Sequence, residues 1–156
     1  MKPLKHLGAY GLLIDDNKIL LIKKAKGPYK GKLDLPGGTI EFEEKPEDAL
    51  VREFNEEVKI NVTSFDFFNA DIANVKWEHN GEIQKMQHIG FFYKIKTYTG
   101  AIQNDVELDE QNNDSLGADF FEISDLKEDE LSAIALLQLK KLGYFNTIEE
   151  VNKKRI

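Results

Sequence analysis

Apolar and polar positions change their spacing several times along this chain, and each change predicts an element. Apolar residues run almost unbroken from Leu7 to Ile14 and from Ile19 to Ile22, as buried strands do. Asp15-Asp16-Asn17-Lys18 between them is turn chemistry, so the two runs predict a hairpin. Lys23 to Lys32 (KKAKGPYKGK) is broken by glycine and proline and reads as a loop. Leu33-Asp34-Leu35 is a short strand leading into a Pro36-Gly37-Gly38 turn, and Thr39 to Phe42 alternates enough for another short strand. From Pro46 the period becomes helical: Leu50, Val51, Phe54 and Val58 recur at a spacing that faces a core. Ile60 to Val75 is rich in β-branched and aromatic residues and reads as strand. Asn80-Gly81 is a strong hairpin signal, and the return strand runs over Gln84 to Tyr98. Phe91-Phe92-Tyr93 within it predicts a strand covered on both faces. Thr99 to Leu116 is a long polar loop, and Ala118 to Ile123 is a further strand. Ser124 or Asp125 is expected to cap a last helix running to Leu142, with Leu131, Ile134, Leu137 and Leu142 as its apolar stripe and Gly143 as its stop. The pattern describes one domain over 1–143 and a polar tail over 144–156.

The helix that starts at Pro46 carries more carboxylates than a solvent face needs. Proline suits the first helical position, where its missing N–H has no intrahelical partner. Glu43, Glu44, Glu47 and Asp48 lie near that start, where the helix dipole favours negative charge. Glu53, Glu56 and Glu57 are spaced i, i+3, i+4 and share one face. Like charges at that spacing cost a few tenths of a kcal/mol per pair, roughly 0.2–0.5 kcal/mol. A divalent cation turns the repulsion into a site: Mg²⁺ takes oxygen ligands, typically one or two carboxylates completed by water and substrate phosphate. Ala49, one turn before Glu53, is expected to leave room on this face. Arg52, one turn before Glu56, is the only arginine ahead of Arg155, and a guanidinium holds carboxylates in a fixed fork where a lysine does not. Gly37-Gly38 lets backbone come close to a ligand and adopt angles that other residues avoid. The competing reading is a solvated acidic face.

Gly38, five residues, Glu44, seven residues, then Arg52-Glu53-Phe54, one residue and Glu56-Glu57 resembles the signature of the Nudix hydrolases, and Leu35-Pro36-Gly37-Gly38 fits as well. One position departs: Lys59 stands where that family usually has glycine. Glycine there allows a left-handed helix end, and lysine in that conformation costs roughly 1–2 kcal/mol. The resemblance implies an α/β/α sandwich with a central mixed β-sheet; composition alone stops at a mixed α and β domain. It implies Mg²⁺-dependent (alternatively Mn²⁺-dependent) hydrolysis of a diphosphate linkage in a nucleoside diphosphate joined to another group. A nucleoside triphosphate is the first substrate expectation and ADP-ribose or a nucleotide sugar the second. A Nudix-like module that binds a nucleotide without cleaving it is the alternative of another class. Under the resemblance Glu56 and Glu57 are metal ligands, Glu53 a further ligand or the general base, and the Gly38 carbonyl an added ligand. Glu41 is a secondary ligand candidate, Glu44 and Arg52 orient the ligands, and Gly37 shapes the turn. An acid among Glu107, Asp109, Glu110 and Asp114 is the other source of a base. Dimers are common in the family, so a homodimer stays open.

Charge and composition narrow the partners. The net charge is −7, with eleven acids and one base, Lys127, between Asp105 and Glu130. Duplex nucleic acid calls for a basic patch, so no nucleic-acid partner is expected. The lysines gather instead at Lys23, Lys24, Lys26, Lys30 and Lys32, ahead of the glycine turn, where they would draw an anionic substrate. Lys24 and Lys26 are the phosphate candidates, with Tyr29 as a base-stacking ring; a solvated loop is the competing reading. Trp77 likewise reads either as packing or as a base-stacking ring. No apolar run reaches the roughly 20 residues that span a bilayer, the N-terminus lacks a signal-peptide core, and there is no cysteine. A cytoplasmic protein without membrane contact is the expectation. His6, His79 and His88 form no HExxH pattern and read as structural; no GxSxG or P-loop motif occurs.

Overall fold

The computed structural model describes residues 3–102 and 115–145. Its strands are β1 (Leu4–Leu12), β2 (Ile14–Asp15), β3 (Lys18–Lys24), β4 (Leu33–Asp34), β5 (Gly37–Thr39), β6 (Asn61–His79), β7 (Glu82–Thr99) and β8 (Ser115–Glu122). Its helices are α1 (Pro46–Val58) and α2 (Ala133–Lys141), with 3₁₀ turns at Ile123–Asp125 and Glu128–Glu130. One sheet is mixed, in the order β5-β1-β7-β6: β1 pairs parallel with β7 and antiparallel with β5. In the second sheet β3 is central and all its pairings, with β2, β4 and β8, are antiparallel.

Strand alternation divides the interior into two cores. Tyr10 and Leu12 of β1, Ile19 and Leu21 of β3 and Phe92 of β7 point toward α2 and pack with Ile134, Ala135 and Leu139. Their neighbours Ala9, Leu13, Leu20, Ile22 and Tyr93 point the other way and pack with Ala49, Leu50, Phe54 and Val58 of α1. The strands thus lie between the two helices, the α/β/α sandwich expected. Phe91-Phe92-Tyr93 serves both cores, as its unbroken apolar run predicts. Asn80 and Gly81 both have positive φ, the backbone of a two-residue type I′ hairpin, and close the β6–β7 turn between His79 and Glu82.

Several expectations need correction. The predicted first hairpin is only the Ile14–Ile19 and Asp15–Lys18 pairs; β1 belongs to the other sheet, because its parallel partner β7 arrives from far along the chain. The strand after the glycine turn covers Gly37–Thr39 and stops before Phe42, which is 94% exposed. Ala49 faces the core and not the carboxylate face. The last helix begins at Ala133, after the two 3₁₀ turns, with the Ser132 side chain accepting from the Ala135 N–H. Its buried stripe is Ile134, Ala135, Gln138 and Leu139, and Leu137 lies outside it. Tyr144 and Phe145 also pack on the α2 core. Most of the acidic loop, with Glu107, Asp109, Glu110 and Asp114, and the tail from 146 lie outside the described residues. No helix among the described residues is long and apolar enough to cross a membrane.

Candidate functional site

Helix α1 is fixed by its apolar face, and that face determines where its carboxylates point. With Leu50, Phe54 and Val58 buried in the core, Arg52, Glu53, Glu56 and Glu57 are turned toward β5. Pro46 occupies the helix start, and Glu47 and Asp48 lie in the first turn. No basic residue occupies the last turn. Glu56 and Glu57 therefore add their charge to the negative pole of the helix, and the potential there favours a cation.

Arg52 organises this surface. Its Nε and Nη2 donate to the two oxygens of Glu44 at 2.8 and 2.9 Å, a bidentate fork. Nη2 also donates to the Thr39 carbonyl at 2.9 Å, which ties the helix to β5. Nη1 donates to Glu53 Oε1 at 3.1 Å and to Glu56 Oε2 at 3.2 Å. Glu44 Oε1 accepts a further bond from the Glu41 N–H at 3.1 Å. These hydrogen bonds, the guanidinium's first, hold the Glu44 carboxyl down at about 2, while the carboxylates push Arg52 further into its charged form. Glu44 and Arg52 thus form a permanently charged brace that orients Glu53 and Glu56. Glu41 stands at its margin, 3.9 Å from Arg52 Nη1 and largely exposed.

The two glycines of the turn are required for different reasons. Gly37 has φ 139°, and a Cβ there would lie 2.2 Å from the Ala9 carbonyl oxygen and 2.7 Å from Tyr10 Cα. Its N–H donates to Glu57 Oε1 at 3.1 Å, so the turn positions that carboxylate directly. Gly38 has an ordinary φ, but a Cβ on it would lie 2.6 to 2.8 Å from the Glu53 carboxyl group. Only a glycine leaves room for that carboxylate against the β5 backbone.

Glu53, Glu57, Gly37 and Gly38 line one cavity of about 190 Å³. Lys24, Lys26 and Tyr29 line it as well, so most of the residues singled out as phosphate, metal or base contacts converge there. Glu56 is outside that lining, with its side chain 59% exposed against Arg52. Tyr29 is buried, its ring stacked on His88 at 5.5 Å between centroids, and contributes a fixed wall and not an open stacking face. The lysine cluster is split by strand geometry. Lys23, Lys30 and Lys32 line a separate groove beside Asp129 and Glu130, and the Lys32 ammonium donates to the Asp129 carbonyl. Trp77 is partly buried against the α2 core and borders an open groove that meets the cavity at Lys26, Gly27 and Pro28.

Four titratable side chains that spacing did not assign to a site also line the cavity: His6, Tyr10, Asp34 and His88. His6 and His88 are brought side by side by the parallel β1–β7 register and stack at 4.7 Å. Nothing local in the sequence signals that pairing. Asp34 is buried, and its Oδ1 accepts from the Leu35 N–H at 2.9 Å and from the Ser132 hydroxyl at 2.6 Å, joining β4 to the start of α2.

The donor set suits a hard divalent cation. Among the described residues no three carboxylate or imidazole side chains close into a cage. Mg²⁺ does not require one, since it commonly keeps several waters and uses one or two carboxylates plus substrate phosphate. Glu53 and Glu57 in the cavity wall, and Glu56 beside them, would supply those oxygens; the space left by Gly38 keeps the Glu53 carboxylate at the turn.

The NUDIX domain family model matches residues 4–141. The ADP-ribose pyrophosphatase of Methanocaldococcus jannaschii is 53% identical over 47 residues, 30% of this chain and 28% of that protein. The 8-oxo-dGTP diphosphatase of Escherichia coli is 42% identical over 55 residues, 35% of this chain and 43% of that protein. The chain spans 28% and 43% of the length of these two curated relatives. The crystal structure of a MutT NUDIX hydrolase from Burkholderia pseudomallei is similar at TM-score 0.67 and 27% identity, over 86% of this chain and 98% of that one.

Proposed function

Because this chain belongs to the NUDIX domain family, we propose that it is a divalent-metal-dependent pyrophosphohydrolase acting on a nucleoside diphosphate joined to another group, with a nucleoside triphosphate as first substrate. The observation that carries this reading is the meeting of Glu53, Glu57 and the Gly37-Gly38 turn with Lys24 and Lys26 around one cavity. Carboxylates and ammonium groups around one cavity are what a polyphosphate with its cation requires.

Mg²⁺, when bound, neutralises phosphate charge and lowers the pKa of a bound water. Glu57 and Glu56 would hold it, with the Gly38 carbonyl as an added ligand. The Gly37 N–H keeps Glu57 in place and Arg52 keeps Glu56 in place. Glu53 is a further ligand or the general base. A base must lie within hydrogen-bond reach of the attacking water, and a carboxylate in the cavity wall meets that condition. Lys24 and Lys26 receive the phosphates.

A second reading, an ADP-ribose or nucleotide-sugar pyrophosphatase, is supported by the groove beyond Lys26-Gly27-Pro28, which offers space for a second large group. The M. jannaschii relative bears that name. Purified protein with Mg²⁺ or Mn²⁺ should be given nucleoside triphosphates, nucleotide sugars and dinucleotides, with products resolved by chromatography and Glu57→Gln alongside. Cleavage of one class, reduced by orders of magnitude in Glu57→Gln, is the expected result. A Glu57→Gln protein as active as wild type would sink the assignment, and ligand-induced thermal shift without product would move it to a binding module.

A further inference from the structure

The catalytic cavity has a second wall that hydrolysis of the diphosphate does not use. Tyr10 and Tyr29 place their hydroxyls on the two ring nitrogens of His88, at 2.6 Å from Nε2 and 2.8 Å from Nδ1. All three side chains are buried, and all three line the cavity together with Glu53 and Glu57. His6 covers one face of the His88 ring at 4.7 Å, and His6 Nε2 lies 2.8 Å from the Thr39 hydroxyl on β5. The wall is therefore anchored to the same strand that carries the glycine turn.

The protons of this cluster do not balance. Burial and the nearby His6 and Lys24 keep His88 neutral, its pKa brought down to about 3. A neutral imidazole has one N–H and one bare nitrogen, and each tyrosine hydroxyl has one proton. Three protons are present and two hydrogen bonds use two of them. In either tautomer one hydroxyl donates to the bare nitrogen and the other accepts from the N–H, and the accepting hydroxyl keeps an unspent proton. A charged imidazolium would leave two. Among the described residues, the hydrogen bonds of both hydroxyls are those to His88. A buried donor without an acceptor is unfavourable, and the cavity is where an acceptor can enter.

We propose that the Tyr10–His88–Tyr29 cluster presents one hydroxyl donor to the bound nucleotide and selects nucleobases that place an acceptor, a carbonyl oxygen or unprotonated ring nitrogen, against this wall. The inference rests on the nucleotide reading above. The wall is made of flat rings with Met86 beside them, surfaces that match a planar base with an acceptor edge. A phosphate is served instead by Lys24 and Lys26. Methionine adapts to such a ring.

Tyr10→Phe and Tyr29→Phe test this, each keeping the ring and removing one hydroxyl. Dissociation constants for ADP, GDP, CDP and UDP with Mg²⁺ are measured by calorimetry, and kcat and KM for the matching triphosphates alongside. Wild type should rank the bases. One of the two variants should lose about tenfold in affinity for the preferred base, the scale of one hydrogen bond to ligand, and flatten the ranking, with kcat little changed. The preferred nucleotide lacking its acceptor atom should bind wild type about tenfold more weakly, a measurement independent of how the variants fold. An unchanged ranking in both variants, equal losses for all bases, or a wild type that does not rank bases would each overturn the proposal. Hydrolysis with an unaltered ranking defeats this inference alone, whereas ranked binding without hydrolysis defeats only the enzymatic reading.

Discussion

Lys59→Gly should stabilise the protein without touching its chemistry. Lys59 closes α1 in the left-handed conformation, φ 62° and ψ 30°, with its N–H donating to the Asn55 carbonyl at 3.2 Å. The helix end thus has the shape a glycine would provide, and the lysine accepts the steric cost of its Cβ. That cost is roughly 1–2 kcal/mol. Glycine returns about 0.5–1 kcal/mol of it through the greater freedom of the unfolded chain. The net gain is roughly 0.5–1 kcal/mol, which for a domain of this size raises Tm by about 1–4 °C. Lys59→Ala is the control: it removes the same charge and keeps the Cβ, so it should gain nothing. Thermal melts by circular dichroism and urea titrations of the three proteins measure the difference, and kcat should be unchanged because the carboxylate face ends at Glu57. A glycine variant no more stable than the alanine variant would refute the strain argument.

Gly38→Ala should lower kcat by roughly 10²-fold through displacement of the Glu53 carboxylate while leaving Tm nearly unchanged, since the backbone at 38 is ordinary and the clash is with the end of a side chain; wild-type kcat in that variant would refute the role given to Gly38. Glu44 has a folded pKa of about 2, below its ordinary 4.5, so its contribution to stability is present above the ordinary value and is lost as pH falls through the folded one. The stability difference between wild type and Glu44→Gln should therefore shrink from about pH 4.5 to about pH 2 in urea titrations, and a constant difference would contradict the fork with Arg52. Phe54→Ala should cost about 3–5 kcal/mol in urea unfolding, because Phe54 is fully buried and fills the space left by Gly11 on β1; a loss under about 1 kcal/mol would mean that the core around α1 collapses to fill the void.

The carboxylate surface explains why one arginine suffices. A lysine at 52 would bring one point charge to a place where Glu44, Glu53, Glu56 and the Thr39 carbonyl all converge. The planar guanidinium distributes donors among them in fixed directions. It leaves Glu57 to the Gly37 N–H. Glu53 and Glu56 are thus held by the guanidinium and Glu57 by a backbone N–H, and the geometry of the carboxylate face depends on the helix and the glycine turn keeping their register.

The sequence by itself determined what local chemistry and period can determine. Pro46, the acidic first turn and the Leu50–Phe54–Val58 spacing specify α1 and its carboxylate face, because helix caps and helical period act within a few residues. Asn80-Gly81 specifies the β6–β7 turn for the same reason, since only a few residue pairs tolerate two consecutive positive φ angles. The tertiary structure alone decided the rest. Whether β1 pairs with β3 or with β7 is a competition between a local hairpin and a strand some eighty residues away, and no local pattern records the distant partner. That pairing sets His6 beside His88 and brings Tyr10 and Tyr29 onto one imidazole. Strand alternation at Lys23 and Lys24 divides a lysine cluster that is continuous in sequence between two grooves. The cap of α2 is Ser132, and not the expected Ser124 or Asp125, because Ser132 has partners in space: its N–H donates to the Leu33 carbonyl and its hydroxyl to Asp34. Local signals can nominate a cap, but only the fold supplies the acceptor that makes one cap better than another.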